Sequence, residues 1–165
     1  MKTAKIASFA LLFAALALTA CGNKEQPAAQ HKAAPAPAAP AQGISVSDGR
    51  MVLPAVPGNP GAVYFTVHND SAGAVTLDAA DVQGAKMAML HTMNMVDGHT
   101  DMQEVKAMDV PAGGELVFAP AGRHVMATDL DAGLKPGGTT NVTLSFADGE
   151  KATFPVEILA AGDAR

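Results

Sequence analysis

The chain has 165 residues, with 11 Lys and Arg against 16 Asp and Glu and a formal net charge of −5 at pH 7. That length suits one domain with tails, and an acidic balance without a basic run argues against nucleic acid as a partner, since that binding needs a positive footprint. A single cysteine, Cys21, excludes an internal disulfide and leaves everything after it without thiolate chemistry.

The chain opens with Lys2 and Lys5 ahead of IASFALLFAALAL, residues 6–18. A positive start followed by a short apolar run reads as a signal peptide over residues 1–20, not as a membrane span. Leu18-Thr19-Ala20-Cys21 resembles the bacterial lipobox, which implies that Cys21 becomes the lipidated first residue of the mature protein. Several acyl chains hold a protein firmly on a membrane, each buried methylene contributing roughly 0.8 kcal/mol. By the same resemblance, Gly22 after the cysteine favours the outer membrane over the inner one and a periplasmic location. Residues 1–20 carry two lysines and no acid, so the remainder has 9 basic against 16 acidic side chains, a side-chain charge of −7.

Residues 21–43 are rich in Ala and Pro and poor in bulky apolar side chains. Such a segment cannot bury enough surface to fold and reads as a semi-extended linker. His31 within it reads as solvated. The folded domain is expected over residues 44–160, long enough for one core.

Within that domain the hydrophobic pattern has period two. Val63, Phe65 and Val67 share one face of a run whose other face carries Tyr64, Thr66 and His68. Val142, Leu144 and Phe146 alternate with Asn141, Thr143 and Ser145, and Ala152, Phe154, Val156 and Ile158 with Thr153, Pro155 and Glu157. This is the signature of half-buried strands. Turn signals separate the runs at Asp48-Gly49, Asn69-Asp70, Asp97-Gly98, Gly113-Gly114, Pro136-Gly137-Gly138 and Asp148-Gly149. Pro155 suggests an edge strand or an irregular end. No helical pattern of useful length is present, so the fold expected is an all-β sandwich of short antiparallel strands.

The stretch LHTMNMVDGHTDM, residues 90–102, crowds three methionines and two histidines around Asp97-Gly98. A two-residue turn there sets Val96 opposite His99, Met93 opposite Met102 and His91 opposite Glu104. His91, Met93 and Met95 then share a face, with Met102 diagonal to His91, roughly 7–8 Å away. Downstream, His124 and Met126 are two residues apart and share a strand face. Imidazole and thioether together suit Cu(I), whereas Mg²⁺ and Ca²⁺ want oxygen and Zn²⁺ sites use Cys, His or carboxylate. Composition alone leaves a copper site and packing methionines equally open.

The intervals among His91, Met102, His124 and Met126 spell H-x10-M-x21-H-x-M. This spacing resembles the signature of the periplasmic copper chaperone family PCuAC. GAVYFTVHN, MLHTMNMVDGHTDM, VPAGGELVFAPAGRHVM and FPVEI are similar to that family as well, so the likeness covers residues 58–158. It implies a cupredoxin-like Greek-key β-sandwich and an exposed Cu(I) site between loops and strand ends. The ligands it implies are His91, Met102, His124 and Met126, with Met93 a candidate auxiliary. The implied function is a metallochaperone, not an enzyme. It would deliver copper to the assembling copper centre of a respiratory cytochrome c oxidase, directly or through a Sco-type thiol protein. Some relatives carry a His/Met-rich tail for a second ion; this chain ends AAGDAR and lacks it.

Met87 and Met89 read as core or rim packing, Met95 and His99 as bystanders at the hairpin, His68 as a surface histidine, and Met51 and Met108 as ordinary packing residues. Two other functions use the same sequence differently: a periplasmic copper buffer, and a metal-free structural lipoprotein. An electron-transfer cupredoxin is disfavoured because blue-copper sites need a cysteine thiolate and the domain has none.

Overall fold

The computed structural model describes residues 43–163. The expected signal peptide, the lipidation site Cys21 and the linker with His31 lie outside the described residues, apart from Gly43. Ten strands follow in order: β1 (Ile44–Val52), β2 (Gly61–Asn69), β3 (Val75–Val82), β4 (Met87–Val96), β5 (His99–Glu104), β6 (Met108–Val110), β7 (Gly114–Phe118), β8 (His124–Thr128), β9 (Thr139–Phe146) and β10 (Lys151–Leu159). The described residues contain no helix, as the missing 3.6-residue period requires.

The strands hydrogen-bond in the order β5-β4-β8-β2-β1-β10-β9-β3-β6, with β7 also on β2. Every pairing is antiparallel except β1 with β10. The path folds over a common core as a cupredoxin-like β-sandwich. In β2, Gly61, Val63, Phe65, Val67 and Asn69 are buried and the residues between them are not. Val142, Leu144 and Phe146 of β9 and Ala152, Val156 and Ile158 of β10 supply the facing layer. Phe65 joins them: its ring stacks on Phe118 at 4.4 Å between centroids and meets Phe154 edge-on at 5.3 Å, geometries that aromatic quadrupoles favour. Met51 and Met108 are core residues, as expected of them.

Two expectations change. Asp48-Gly49 is not a turn but a bulge inside β1, where the register with β2 shifts between Ser47 and Arg50. Asp48 takes φ +57°, and a Cβ on Gly49 would meet Val156 Cγ1 at 2.9 Å, so glycine lets β1 lie close against β10. Pro155 does not mark an edge strand either. β10 runs between β9 and β1, but β1 pairs only with Glu157–Leu159, so Pro155 faces a partner strand on one side alone. The missing N–H is tolerated where the second neighbour has left.

One irregularity positions the site. β7 and β8 lie end to end along the same edge of β2, β7 opposite Phe65–Asn69 and β8 opposite Gly61–Val63. They behave as one strand interrupted by residues 119–123, which leave the sheet opposite Tyr64. Ala121 there adopts φ +60°, and Gly122 N–H donates to Ala119 O at 3.0 Å. The excursion is tied down from the other side, where Met93 N–H donates to Gly122 O at 3.2 Å.

Candidate metal centre

The β4–β5 hairpin has the expected register. Val96 pairs with His99, Met93 with Met102 and His91 with Glu104. Asp97 and Gly98 take φ +50° and +77°, the double left-handed turn whose twist matches that of the flanking strands. On its other side β4 pairs with β8, setting His91 directly opposite His124 and Met89 opposite Met126. Leu90 and Val125 on the alternate positions are buried in the core. The histidines and methionines therefore share the outer face of the sheet.

The result is a central rung of two imidazoles with thioethers on both sides. The His91 and His124 rings lie 5.7 Å apart between centroids, tilted by 53°. Met89 and Met126 form the next rung in one direction, Met93 and Met102 in the other. Both histidines are only 7% exposed, whereas Met102 is 48% exposed; Met93, Met89 and Met126 are half-buried. Met95, at 73%, and His99 point to solvent near the turn, and Met87 is exposed at the strand start. The placement differs from an exposed site between loops and strand ends. The four residues at the motif positions belong to strands β4, β5 and β8, and the two imidazoles are buried. Only His124 follows directly on a loop, the excursion at residues 119–123.

The polar inventory suits a soft cation. Neither ring nitrogen of His91 has a hydrogen-bond partner, although both are buried. A buried imidazole left without partners is costly, and a metal ion is one way to satisfy it. Burial, reinforced by repulsion from His124 and opposed by Glu104, lowers the His91 pKa from the usual 6.5. The ring is thereby kept in the neutral form that ligates metals. His124 Nδ1 lies 3.3 Å from Gly122 O. A proton on Nδ1 directed at that carbonyl leaves the Nε2 lone pair free, the usual way an outer partner fixes the tautomer of a ligating histidine. The donor set thus fits Cu(I): two neutral imidazoles and up to four thioethers.

Two residues at the site carried no sequence signal. Tyr64, which β2 presents where the excursion leaves the sheet, has its ring 6.4 Å from that of His124. Arg50 lies over the Tyr64 ring, 5.1 Å from its centroid, a cation–π distance. Burial pushes the Tyr64 phenol above its usual 10.0, against the opposing pull of Arg50. Tyr64 is thus the aromatic neighbour of His124, with Arg50 against it. His68, by contrast, is the surface histidine expected, bonded to Ser47 at the far end of β2.

The family described as "Putative lipoprotein LpqE-like" matches residues 44–158. The "Putative lipoprotein Lxx21020" of Leifsonia xyli subsp. xyli is 33% identical over 144 residues, 87% of this chain and 81% of that protein. Among solved structures, CuI-DR1885 from Deinococcus radiodurans is 31% identical over 76% of this chain and 85% of that one, with a TM-score of 0.57. The chain belongs to the LpqE-like family, and its domain has the fold of PCuAC domains. The copper-bound PCuAC domain from PmoF2 superposes with a TM-score of 0.60, covering 76% of this chain and 98% of its own. At 18% identity it bears on the fold alone. Among the described residues of this domain, no three His, Cys, Asp or Glu side chains converge as a cage. Nitrogen and oxygen donors alone therefore do not make a cage there.

Proposed function

We propose that this protein is a Cu(I) metallochaperone of the cell envelope, anchored to the periplasmic side of the outer membrane through Cys21. His91, Met102, His124 and Met126 are its ligands and Met93 is the auxiliary. The observation that carries this reading is the buried His91–His124 rung, with His91 lacking any protein partner and thioethers on both flanks. The 31% identity to CuI-DR1885 supports it.

The mechanism is ligand exchange, not catalysis. Neutral ligands leave the single charge of Cu(I) uncompensated, so the ion is not locked in by an ion pair. The histidines hold it from below the surface, and exposed Met102 is the ligand that an incoming donor displaces first. Met93, directly opposite Met102, keeps a sulfur on the ion while that exchange proceeds. The acceptor in this reading is the copper-bearing subunit of a cytochrome c oxidase, reached directly or through a Sco-type thiol protein.

Anaerobic Cu(I) titration against a chromophoric competitor tests the site, using the full chain with Cys21→Ser so that its only thiol cannot compete. Tyr64 is the only tyrosine and there is no tryptophan, so intrinsic emission reports events beside His124 directly. One equivalent of Cu(I) should bind and change that emission; no binding at competitor-limited concentrations would overturn the reading. Delivery is tested in cells by deleting the gene and measuring oxidase copper loading at low copper. Normal loading combined with new copper sensitivity would make the protein a buffer instead.

A further inference from the structure

The sheet ends on β5, which among the described residues pairs with β4 alone. One bond fixes which way its backbone groups point: just past the strand, the Val105 N–H donates to Leu90 O of β4 at 2.8 Å. Bonded and non-bonded pairs alternate along an antiparallel ladder, and the register between β5 and β4 is unbroken. His99, Asp101 and Gln103 therefore turn their backbone groups to β4. Thr100, Met102 and Glu104 turn theirs to the open edge.

The two ends of the sheet differ. At the far end β6 spans only three residues, Met108–Val110, a common way of blunting an edge. β5 runs for six residues, all exposed, and carries none of the usual guards: no Pro, no Lys and no bulge. Its fixed charges are both acidic, Asp101 and Glu104.

We propose that β5 is a docking edge, to which an extended, basic segment of the copper acceptor adds as an antiparallel strand and sets a soft donor opposite Met102. This docking mode rests on the chaperone function proposed above and names how its partner is met. Main-chain bonds along an edge supply affinity, and the side chains they bring together supply specificity. A residue directly opposite Met102 has its Cβ roughly 4.5–5.5 Å away. Met102 is 48% exposed and shares the outer face with Met93, its partner on β4, so the incoming donor lands on the face that carries the histidines. Charge selects the occupant. Asp101 and Glu104 favour lysine or arginine beside the donor, whereas a second copy of this chain brings the same two acids and the same negative excess.

The test uses the full chain in the Cys21→Ser background, metal-free and Cu(I)-loaded, under anaerobic conditions. The probe is a short acetylated and amidated peptide of alternating lysine and threonine around one central methionine. At saturation, amide exchange followed by NMR should slow by about tenfold or more at Thr100, Met102 and Glu104 and stay unchanged at His99, Asp101 and Gln103. A contact through side chains alone does not produce that alternation. Thr100→Pro removes one outward N–H where an edge strand accepts proline. It should weaken peptide binding by about tenfold while Cu(I) affinity stays within about twofold. Thr100→Val keeps the N–H and should bind the peptide like the parent chain, and a peptide with glutamate in place of lysine should not bind. Loss of the alternation, or equal peptide binding by Thr100→Pro, would overturn the proposal. So would the same alternation arising without peptide as protein concentration rises, which would make the occupant a second copy. Peptide binding by a chain that takes up no Cu(I) would instead remove the chaperone reading and leave a strand-docking edge.

Discussion

His68 and the His91–His124 pair project from the same outer face, yet their surroundings are opposite. His68 has a partner at each ring nitrogen: Ser47 Oγ at 2.9 Å from Nε2 and Glu115 Oε2 at 3.7 Å from Nδ1. Its side chain is 36% exposed and that of Glu115 60%, so water completes what the protein does not. His91 is 7% exposed and has no partner at either nitrogen. The first is a satisfied histidine on a polar surface. The second is a buried and unsatisfied one. Residue type does not separate them; the distinction lies in what remains for a cation to do.

That contrast can be broken most directly by removing imidazoles. His91→Ala or His124→Ala should each weaken Cu(I) binding by about 100-fold, equivalent to about 2.8 kcal/mol, whereas His68→Ala should stay within about twofold by the same competition assay. Comparable losses at all three positions would erase the difference between the two ends of the face. Thioether removal should come next: Met102→Leu and Met126→Leu are each expected to weaken Cu(I) by about tenfold, or about 1.4 kcal/mol. Met93→Leu should cost less than either; an equal loss would place Met93 among the principal ligands.

Acidification sharpens the comparison without copper. The His91 pKa is lowered in the fold, first by burial, then by His124, so the unfolded chain takes up this proton at higher pH than the native one. The stability linked to His91 is therefore fully present above the unfolded value near 6.5 and is lost as pH falls through the folded value. Urea midpoints measured from pH 7.5 downward should decline across that range, and His91→Leu should decline less. A steeper decline in His91→Leu would contradict the sign. The smallest effect belongs to the far end of the face. Glu115→Gln alters only a long, exposed contact to His68 and should change unfolding free energy by less than about 1 kcal/mol, measurable by the same urea titration.

Much of this molecule was legible in its residues. The alternation in Gly61–Asn69 and Thr139–Phe146 announces strands with one buried face because side chains alternate along any strand. The hairpin register was legible too, because Asp97-Gly98 is a local turn that fixes every pair behind it. The Asp48-Gly49 signal misled for the same local reason: the pair favours left-handed backbone, which serves a bulge as well as a turn, and only the approach of Val156 decides.

The intervals from His91 to Met126 marked which side chains belong to the candidate site, and the sequence by itself determined that they carry neutral nitrogen and sulfur donors and no thiolate. It did not determine which of them touch. The pairing of β4 with β8, the departure of residues 119–123 opposite Tyr64 and the burial of the two imidazoles were all decided by the tertiary structure. Strands distant in the chain choose their register by burying whole faces at once, here Leu90 and Val125 against the core. The outward row from Glu104 to His124 is fixed as the reverse side of that choice.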